Sequence, residues 1–389
     1  MKKRIFYWSP CLNPVGTVKS TLNSAVSAVQ YDSNLFDVTL INACGEWDEY
    51  LDYFKDNHVK IINFRYNFFK HLPKRGYIQS RFSYMVIFLL CFLPLIKLIR
   101  SYKPDFFIAH LITSLPLTVM NLVKTDTKFI LRISGMPQLN LIRKSFWRII
   151  STKLYMVTSP SIELMNKLVN MNLFDKSKIS FLPDAIIDIK QFIFKKNSEV
   201  KNLQKFDDKR IIFAAGRLTK QKNFLFLCKA IKKIIIDVPD FKIIIAGDGE
   251  DKSKILSFIK KKNLQKNIFL IGHVENIFPY ISLSQGFILT SLWEDPGFVL
   301  IEAAACRTPV FSSDCPEGPK EIIKDNFNGL LFKSNDENDL VKNFIKFKDI
   351  ISSPVKKKKL ILNNLILTRQ FSFFNHYVKL NKILSNVCN

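Results

Sequence analysis

The chain has 389 residues, 58 basic against 33 acidic side chains, and a formal charge of +25. A hydrophobic share of 48% with 35 Phe excludes a disordered polymer, and 12 Gly with 16 Pro exclude collagen-like and low-complexity classes. At roughly 100–200 residues per domain the length predicts two domains, or three small ones, and the charge is compatible with solubility, nucleic-acid binding or an anionic membrane surface.

The opening MKKRIFYWSP is basic but has no apolar core of signal-peptide length before Pro10, so residues 4–8 read as a first strand. Apolar runs of strand length follow at 36–41, 59–64, 105–109, 128–133 and 154–158. After a polar stretch without a clean period, a second series runs through 210–215, 241–246, 267–271, 286–290 and 309–312. Such continuous runs predict strands buried on both faces, hence parallel sheets covered by helices. The fold class is therefore α/β, with two doubly wound Rossmann-like domains, and the cleft between them is the expected ligand site. The predicted boundaries are 1–188, a linker 189–209, a second domain 210–360, and a helical segment 361–389 packing back toward the first domain. Seven scattered cysteines (11, 44, 91, 228, 306, 315, 388) form no C-x-x-C pair, which argues against a disulfide framework or zinc site and for a reducing, cytoplasmic setting.

The longest apolar segment, 82–99, is near the minimum for a membrane span, but Pro94 and Lys97 interrupt it, so a buried or interfacial helix is predicted. From Asn57 to Pro104 there are nine basic residues, among them Lys70, Lys74 and Arg75, ten Phe or Tyr, and no acid. That composition suits an anionic bilayer, at about 1 kcal/mol per basic side chain near the surface. A core helix flanked by solvated lysines is the plainer alternative.

Two stretches carry chemistry. Trp293-Glu294-Asp295-Pro296-Gly297-Phe298-Val299-Leu300-Ile301-Glu302 follows a predicted strand and opens a helix near Gly297. A strand–turn–helix edge offers backbone amides and the positive end of a helix dipole to a diphosphate; Pro296 has no N–H, so the donors are Gly297, Phe298 and Val299. Glu294 and Glu302 are eight residues apart and suited to accept from sugar hydroxyls. The second stretch, Gly216-Arg217-Leu218-Thr219-Lys220-Gln221-Lys222-Asn223, places two cations at a strand's carboxyl end, where they either neutralise a departing diphosphate or form a solvated basic loop.

Over about 210–332, the GRLTKQKN loop, IAGDGE at 245–250, the stretch 271–323 and NGLLF at 328–332 together resemble retaining glycosyltransferases of family 4, with the two-domain GT-B fold. The resemblance implies transfer of a sugar from a nucleotide-sugar with retention at the anomeric carbon. It assigns Arg217 and Lys222 to the donor diphosphate, Glu294 to the transferred sugar, Glu302 to the ribose, and the loop Gly272-His273-Val274 to the base. In the first half the family's Gly-Gly loop corresponds to Asn13-Pro14-Val15-Gly16-Thr17, with a single glycine, Gly16. The family's histidine matches His110, at a strand's carboxyl end, where the resemblance implies a hydrogen bond to the donor sugar; without the resemblance it reads as a satisfied core group. Two departures stand out: Glu-Gly-Phe-Gly is replaced by Glu294-Asp295-Pro296-Gly297-Phe298, and Asp314-Cys315-Pro316-Glu317-Gly318-Pro319-Lys320-Glu321 is similar to a variant of bacterial polysaccharide and lipopolysaccharide transferases.

No D-x-D triplet and no Cys/His cluster of ligand spacing is present, so no metal site and no cofactor are expected, and Arg217 with Lys222 would meet the leaving-group charge. The expected partners are a nucleotide-sugar, with UDP favoured by the resemblance, a lipid-linked saccharide and an anionic membrane at the inner face of the cytoplasmic membrane. Nucleic acid is not among them: no helix-turn-helix, zinc-finger or RNP pattern occurs. A catalytically inactive nucleotide-binding GT-B protein is the competing class, and a polyanion-binding protein the next.

Overall fold

The computed structural model describes residues 2–12, 16–64, 66, 68–69, 72, 77–137, 139–199, 211–294, 297–316 and 318–385. Two compact units result: residues 1–185 with 373–389, and residues 186–372.

The first unit runs β1 (Lys3–Trp8), α1 (Gly16–Asp32), β2 (Phe36–Asn42), α2 (Leu51–Asp56), β3 (Lys60–Asn63), α3 (Tyr77–Tyr102), β4 (Phe106–Ala109), α4 (Ser114–Leu122), β5 (Lys128–Arg132), α5 (Leu141–Ser151), β6 (Met156–Ser159), α6 (Ile162–Asn170) and β7 (Ile179–Phe181). The second runs α7 (Ile189–Lys196), β8 (Ile211–Ala215), α8 (Phe224–Asp237), β9 (Lys242–Ala246), α9 (Lys252–Lys261), β10 (Ile268–Gly272), α10 (Phe278–Leu283), β11 (Gly286–Leu289), α11 (Phe298–Ala305), β12 (Val310–Ser313), α12 (Pro319–Ile322), β13 (Leu330–Phe332), α13 (Glu337–Ser352) and α14 (Pro354–Thr368). The chain then returns to the first unit as α15 (Phe373–Leu384).

Both sheets are parallel, ordered β3-β2-β1-β4-β5-β6-β7 and β10-β9-β8-β11-β12-β13. The sequence reason is the two-sided burial of each run. In β1, Phe6 and Trp8 enter the core under α3–α6, while Ile5 and Tyr7 enter the opposite core under α1 and α15. In β8, Ile212 and Ala214 face one layer and Ile211, Phe213 and Ala215 the other. Each fully buried side chain of Ile or Phe size contributes about 1.5–3 kcal/mol, so the alternation specifies register as well as stability.

The expected linker 189–209 is corrected at its start. Ile189–Lys196 is helix α7, capped by Asp188 and packed on α10 of the second unit through an edge-on contact of Phe192 with Phe278 at 5.4 Å. Alternating Lys with Ile and Phe hid its amphipathic character. Residues 200–210 lie outside the described residues. The break at 360/361 is likewise corrected: it falls inside α14, and the return to the first unit comes at Phe373. Strand β7 was not predicted either; it is three residues long.

A buried polar network ties three remote segments of the first unit together. Arg132, at the end of β5, pairs with Asp184 at 2.5 Å and donates to the Leu182 carbonyl, and both side chains are almost wholly buried. Ser20 of α1 donates to the same carboxylate, and Asn23 donates to the Ala185 carbonyl at 2.6 Å. On α15, His376 donates from Nδ1 to the Pro183 carbonyl at 2.6 Å and accepts at Nε2 from Ser24 at 2.8 Å, whose hydroxyl is met in turn by Tyr7 at 2.9 Å. Burial holds His376 neutral, with its pKa pushed down from 6.5 to about 4. In the unfolded chain the ring takes a proton first, so stability is at its full value above pH 6.5 and falls as the pH drops toward 4. The loss from this one group reaches about 3 kcal/mol. Urea unfolding between pH 7 and pH 4, with His376→Gln as the comparison, should show the acid-side slope shrink in the variant.

Candidate functional site

The second unit gathers its candidates where strands β8, β9, β10 and β11 end. The loop after β8 carries Gly216, Arg217 and Lys222; that after β9 carries Gly247 and Gly249; β10 ends in Gly272. Backbone bonds stitch these loops: Gly216 N donates to Ala246 O at 3.0 Å, Gly247 N to Gly272 O at 2.7 Å, and Leu218 N to Asp248 O at 2.9 Å. A Cβ at Gly247 would lie 1.9 Å from the Gly216 carbonyl oxygen, so only glycine lets the two loops touch.

The loop after β11 is held just as closely to the β8 loop, because β11 and β8 are neighbours in the sheet. Leu292 N donates to Gln221 O at 2.8 Å, Gln221 Nε2 to Trp293 O at 3.0 Å, and Thr290 Oγ1 to Lys222 O at 2.9 Å. The result is an ion pair between Lys222 Nζ and Glu294 Oε1, with Ser291 donating to the same oxygen. The Lys222 and Glu294 side chains are 15% and 6% exposed, so cation and carboxylate are fixed at the rim of the core rather than solvated. Arg217 is exposed on the same loop.

Gly297 then turns the chain into α11 with φ +90°, a left-handed conformation that disfavours any side chain. Phe298 and Val299 form the first turn of α11, and Glu302 is buried on its second turn. Asp295 and Pro296 lie outside the described residues, as does Glu317. The loop after β12 supports this edge: Pro316 O accepts from Glu294 N at 3.2 Å, and Ser313 donates to Ser291 O at 2.7 Å. His273 is exposed beside Asp248, whose carboxyl is held below its ordinary range first by the Lys252 ammonium and then by the Gly249 amide. Val274 packs partly buried against the neighbouring core. Of the predicted donor-site residues, the structure therefore gathers those of the second unit at one sheet edge.

Gly16 and His110 belong to the first unit. Gly16 begins α1 with open space where a Cβ would stand; Asn13, Pro14 and Val15 lie outside the described residues. His110 follows β4, is 8% exposed, and its backbone N–H donates to Trp8 O at 2.9 Å. Thr21 Oγ1 lies 2.9 Å from Thr17 O, 3.2 Å from Ser9 Oγ and 3.0 Å from His110 Nδ1, so the imidazole is held by a buried hydroxyl whose role as donor or acceptor follows the ring's tautomer. Burial, then the Arg132 charge, holds the ring neutral, well below its ordinary pKa. The Arg132–Asp184 network around it was missed, although an arginine inside the apolar run KFILRIS demands a buried partner.

Among the described residues, no three His, Cys, Asp or Glu side chains converge as metal ligands.

Residues 195–361 match the family described as glycosyl transferases group 1. An uncharacterised glycosyltransferase of Methanocaldococcus jannaschii is 43% identical over 82 residues, 21% of this chain and 20% of the relative. The N-acetylgalactosamine-N,N'-diacetylbacillosaminyl-diphospho-undecaprenol 4-alpha-N-acetylgalactosaminyltransferase of Campylobacter jejuni is 33% identical over 94 residues, 24% of this chain and 26% of the relative. The matched stretch thus spans about a quarter or less of each of these proteins. At the level of fold, a crystal structure of a Rickettsia africae glycosyltransferase superposes with a TM-score of 0.80 at 18% identity, covering 99% of this chain and 98% of that one. Anabaena HepE in complex with UDP gives 0.73 at 14% identity, covering 99% and 100%. Two parallel-sheet Rossmann-like units and these neighbours agree that the chain has the GT-B fold, and its residues 195–361 match the glycosyl transferases group 1 family.

Proposed function

We propose that this protein is a retaining glycosyltransferase that moves a sugar from a nucleotide-sugar, UDP-linked, to a hydroxyl of a lipid-linked saccharide in bacterial polysaccharide or lipopolysaccharide assembly, working at the inner face of the cytoplasmic membrane. The observation that carries the reading is the Lys222–Glu294 pair on adjoining strand-end loops, beside the amino end of α11. It supplies, within one hydrogen bond, a cation for phosphate and a carboxylate for sugar hydroxyls.

In the proposed reaction the bond from the anomeric carbon to the distal phosphate oxygen breaks and the bond to the acceptor oxygen forms on the same face. The departing phosphate oxygen takes the acceptor's proton. Lys222, Arg217 and the first-turn amides of α11 neutralise the leaving charge, and no metal is required. Glu294 orients the transferred sugar and Glu302 the ribose, while His110, held neutral by burial, hydrogen-bonds a hydroxyl of the transferred sugar. The undecaprenol-linked substrate in the Campylobacter relative's name, the UDP in the HepE structure and the acid-free stretch 57–104 support the acceptor, donor and membrane parts of the reading.

Calorimetric titration of UDP and of GDP in EDTA tests it. UDP should bind, GDP at most weakly, and Arg217→Ala, which removes an exposed side chain, should weaken UDP about tenfold or more. Failure of both nucleotides would return the inactive GT-B reading, and a magnesium requirement would end the metal-free account.

A further inference from the structure

Helices α3–α6 cover one face of the first unit's sheet, and their outward side is unusually apolar. On α3 the inner face is committed to the core: Ile87, Cys91, Leu95, Leu98 and Ile99 are at most 4% exposed. The helix continues through Pro94 to Tyr102. On the opposite side, at helical spacing, stand Phe82 (52% exposed), Met85 (54%), Leu89 (64%) and Leu93 (71%). Lys97 and Arg100 follow on that outward side, both exposed, where the apolar stripe ends.

By length and composition α3 is able to cross a membrane, with a mean hydropathy of 2.3 over its most apolar window. Crossing would strip the sheet of the five core residues just named, so the helix is fixed on the unit and only its outer stripe is available. The same layer offers Leu122 at the end of α4 (61%) and Leu141 (84%), Ile142 (80%) and Ile149 (66%) on α5. Between Asn57 and Ile162 the sequence has sixteen basic residues and two acidic ones, Asp105 and Asp126. An exposed apolar layer in a stretch so rich in basic and so poor in acidic residues fits an anionic bilayer: acyl chains for the leucines, headgroup phosphates for the cations at their edge.

Resting on the membrane part of the proposed function, we infer that α3 is an in-plane anchor. Phe82, Met85, Leu89 and Leu93 enter the acyl region, and Lys97 and Arg100 reach the headgroups of anionic lipids. Binding is by insertion and not by charge alone, which makes the α3–α5 layer the membrane-facing side of the first unit. This replaces Lys70, Lys74 and Arg75, which lie outside the described residues, as the residues to test.

The experiment is flotation of the full-length protein with phosphatidylglycerol–phosphatidylcholine vesicles at low and high salt. The wild type should stay bound at high salt, and Leu89→Glu with Leu93→Glu should lower partitioning tenfold or more. Lys97→Glu with Arg100→Glu should lower it chiefly at low salt. Both pairs are exposed on the first unit while the donor loops belong to the second, so UDP binding should be unchanged, and it serves with thermal unfolding as the check on folding. Leu89→Trp provides a second readout: its fluorescence should be quenched by lipids brominated along the acyl chain. Release of the wild type by salt alone, unaltered flotation of the leucine variant, or an unquenched tryptophan would each overturn insertion. So would light scattering showing a lipid-free dimer that the leucine variant dissolves, since the layer would then cover a second copy. Intact vesicle binding with no UDP binding would sink the donor reading and leave the anchor standing.

Discussion

Lys222→Ala is expected to lower glycosyl transfer by about 10²–10³-fold, the usual cost of removing one preorganised charge from a developing oxyanion. The Lys222–Glu294 pair adds a second consequence. Glu294 is 6% exposed and accepts from both Lys222 and Ser291, so the variant leaves a nearly buried carboxylate without its cation. A broken pair of this kind costs about 3 kcal/mol of stability. Lys222→Ala with Glu294→Gln removes the orphaned charge. It should therefore restore the melting temperature and stay inactive. Comparing turnover with thermal unfolding across the single and double variants separates the two effects. A single variant with near-normal turnover would remove Lys222 from the leaving-group role.

Asp184→Ala should destabilise the first unit by about 3–5 kcal/mol, because Arg132 loses the one carboxylate it is paired with while 2% exposed. The change also takes the acceptor from Ser20. Replacing both partners by apolar residues, Arg132→Met with Asp184→Leu, should recover much of the loss, since it is the uncompensated charge and not the missing attraction that costs most. Hydrogen exchange would locate the effect. Amides of β5 and α1 should lose protection in Asp184→Ala while those of β8 and β11 keep theirs, and equal loss in both units would contradict a local network.

The residues that could be read in advance are those whose role follows from local pattern. Runs such as FFIA and IIFAA declare a buried parallel strand, because neither face carries a polar group. Gly297 and the amino end of α11 were legible because a turn glycine followed by an apolar helical stretch is a local signal. The pairing of Lys222 with Glu294 was not legible. Each residue could be assigned to the carboxyl end of a strand, but their contact depends on β8 and β11 being neighbours, and no spacing in the chain states that. Gly247 had no visible reason until the Gly216 carbonyl was found against it. Helix α7 was missed because IKQFIFKK has too few residues to display a period beside its lysines. His110 shows the limit most plainly: one position after a strand fits a core group and a ligand-facing group alike, and the structure gives it a buried Nδ1 partner, Thr21.

The return of the chain at Phe373 bears on the order in which this protein can be made. Helix α15 packs along α1, and its His376 closes the hydrogen-bond chain that runs from Tyr7 to the Pro183 carbonyl. A ribosome delivers residues 186–372, a continuous unit, before it delivers those that finish the first one. The second unit can therefore be complete while the first still lacks the helix that covers Val18, Leu22 and Phe36. The nascent chain must carry that uncovered face while all of residues 186–372 are made, and a truncation before Phe373 would injure the unit translated before the one it interrupts.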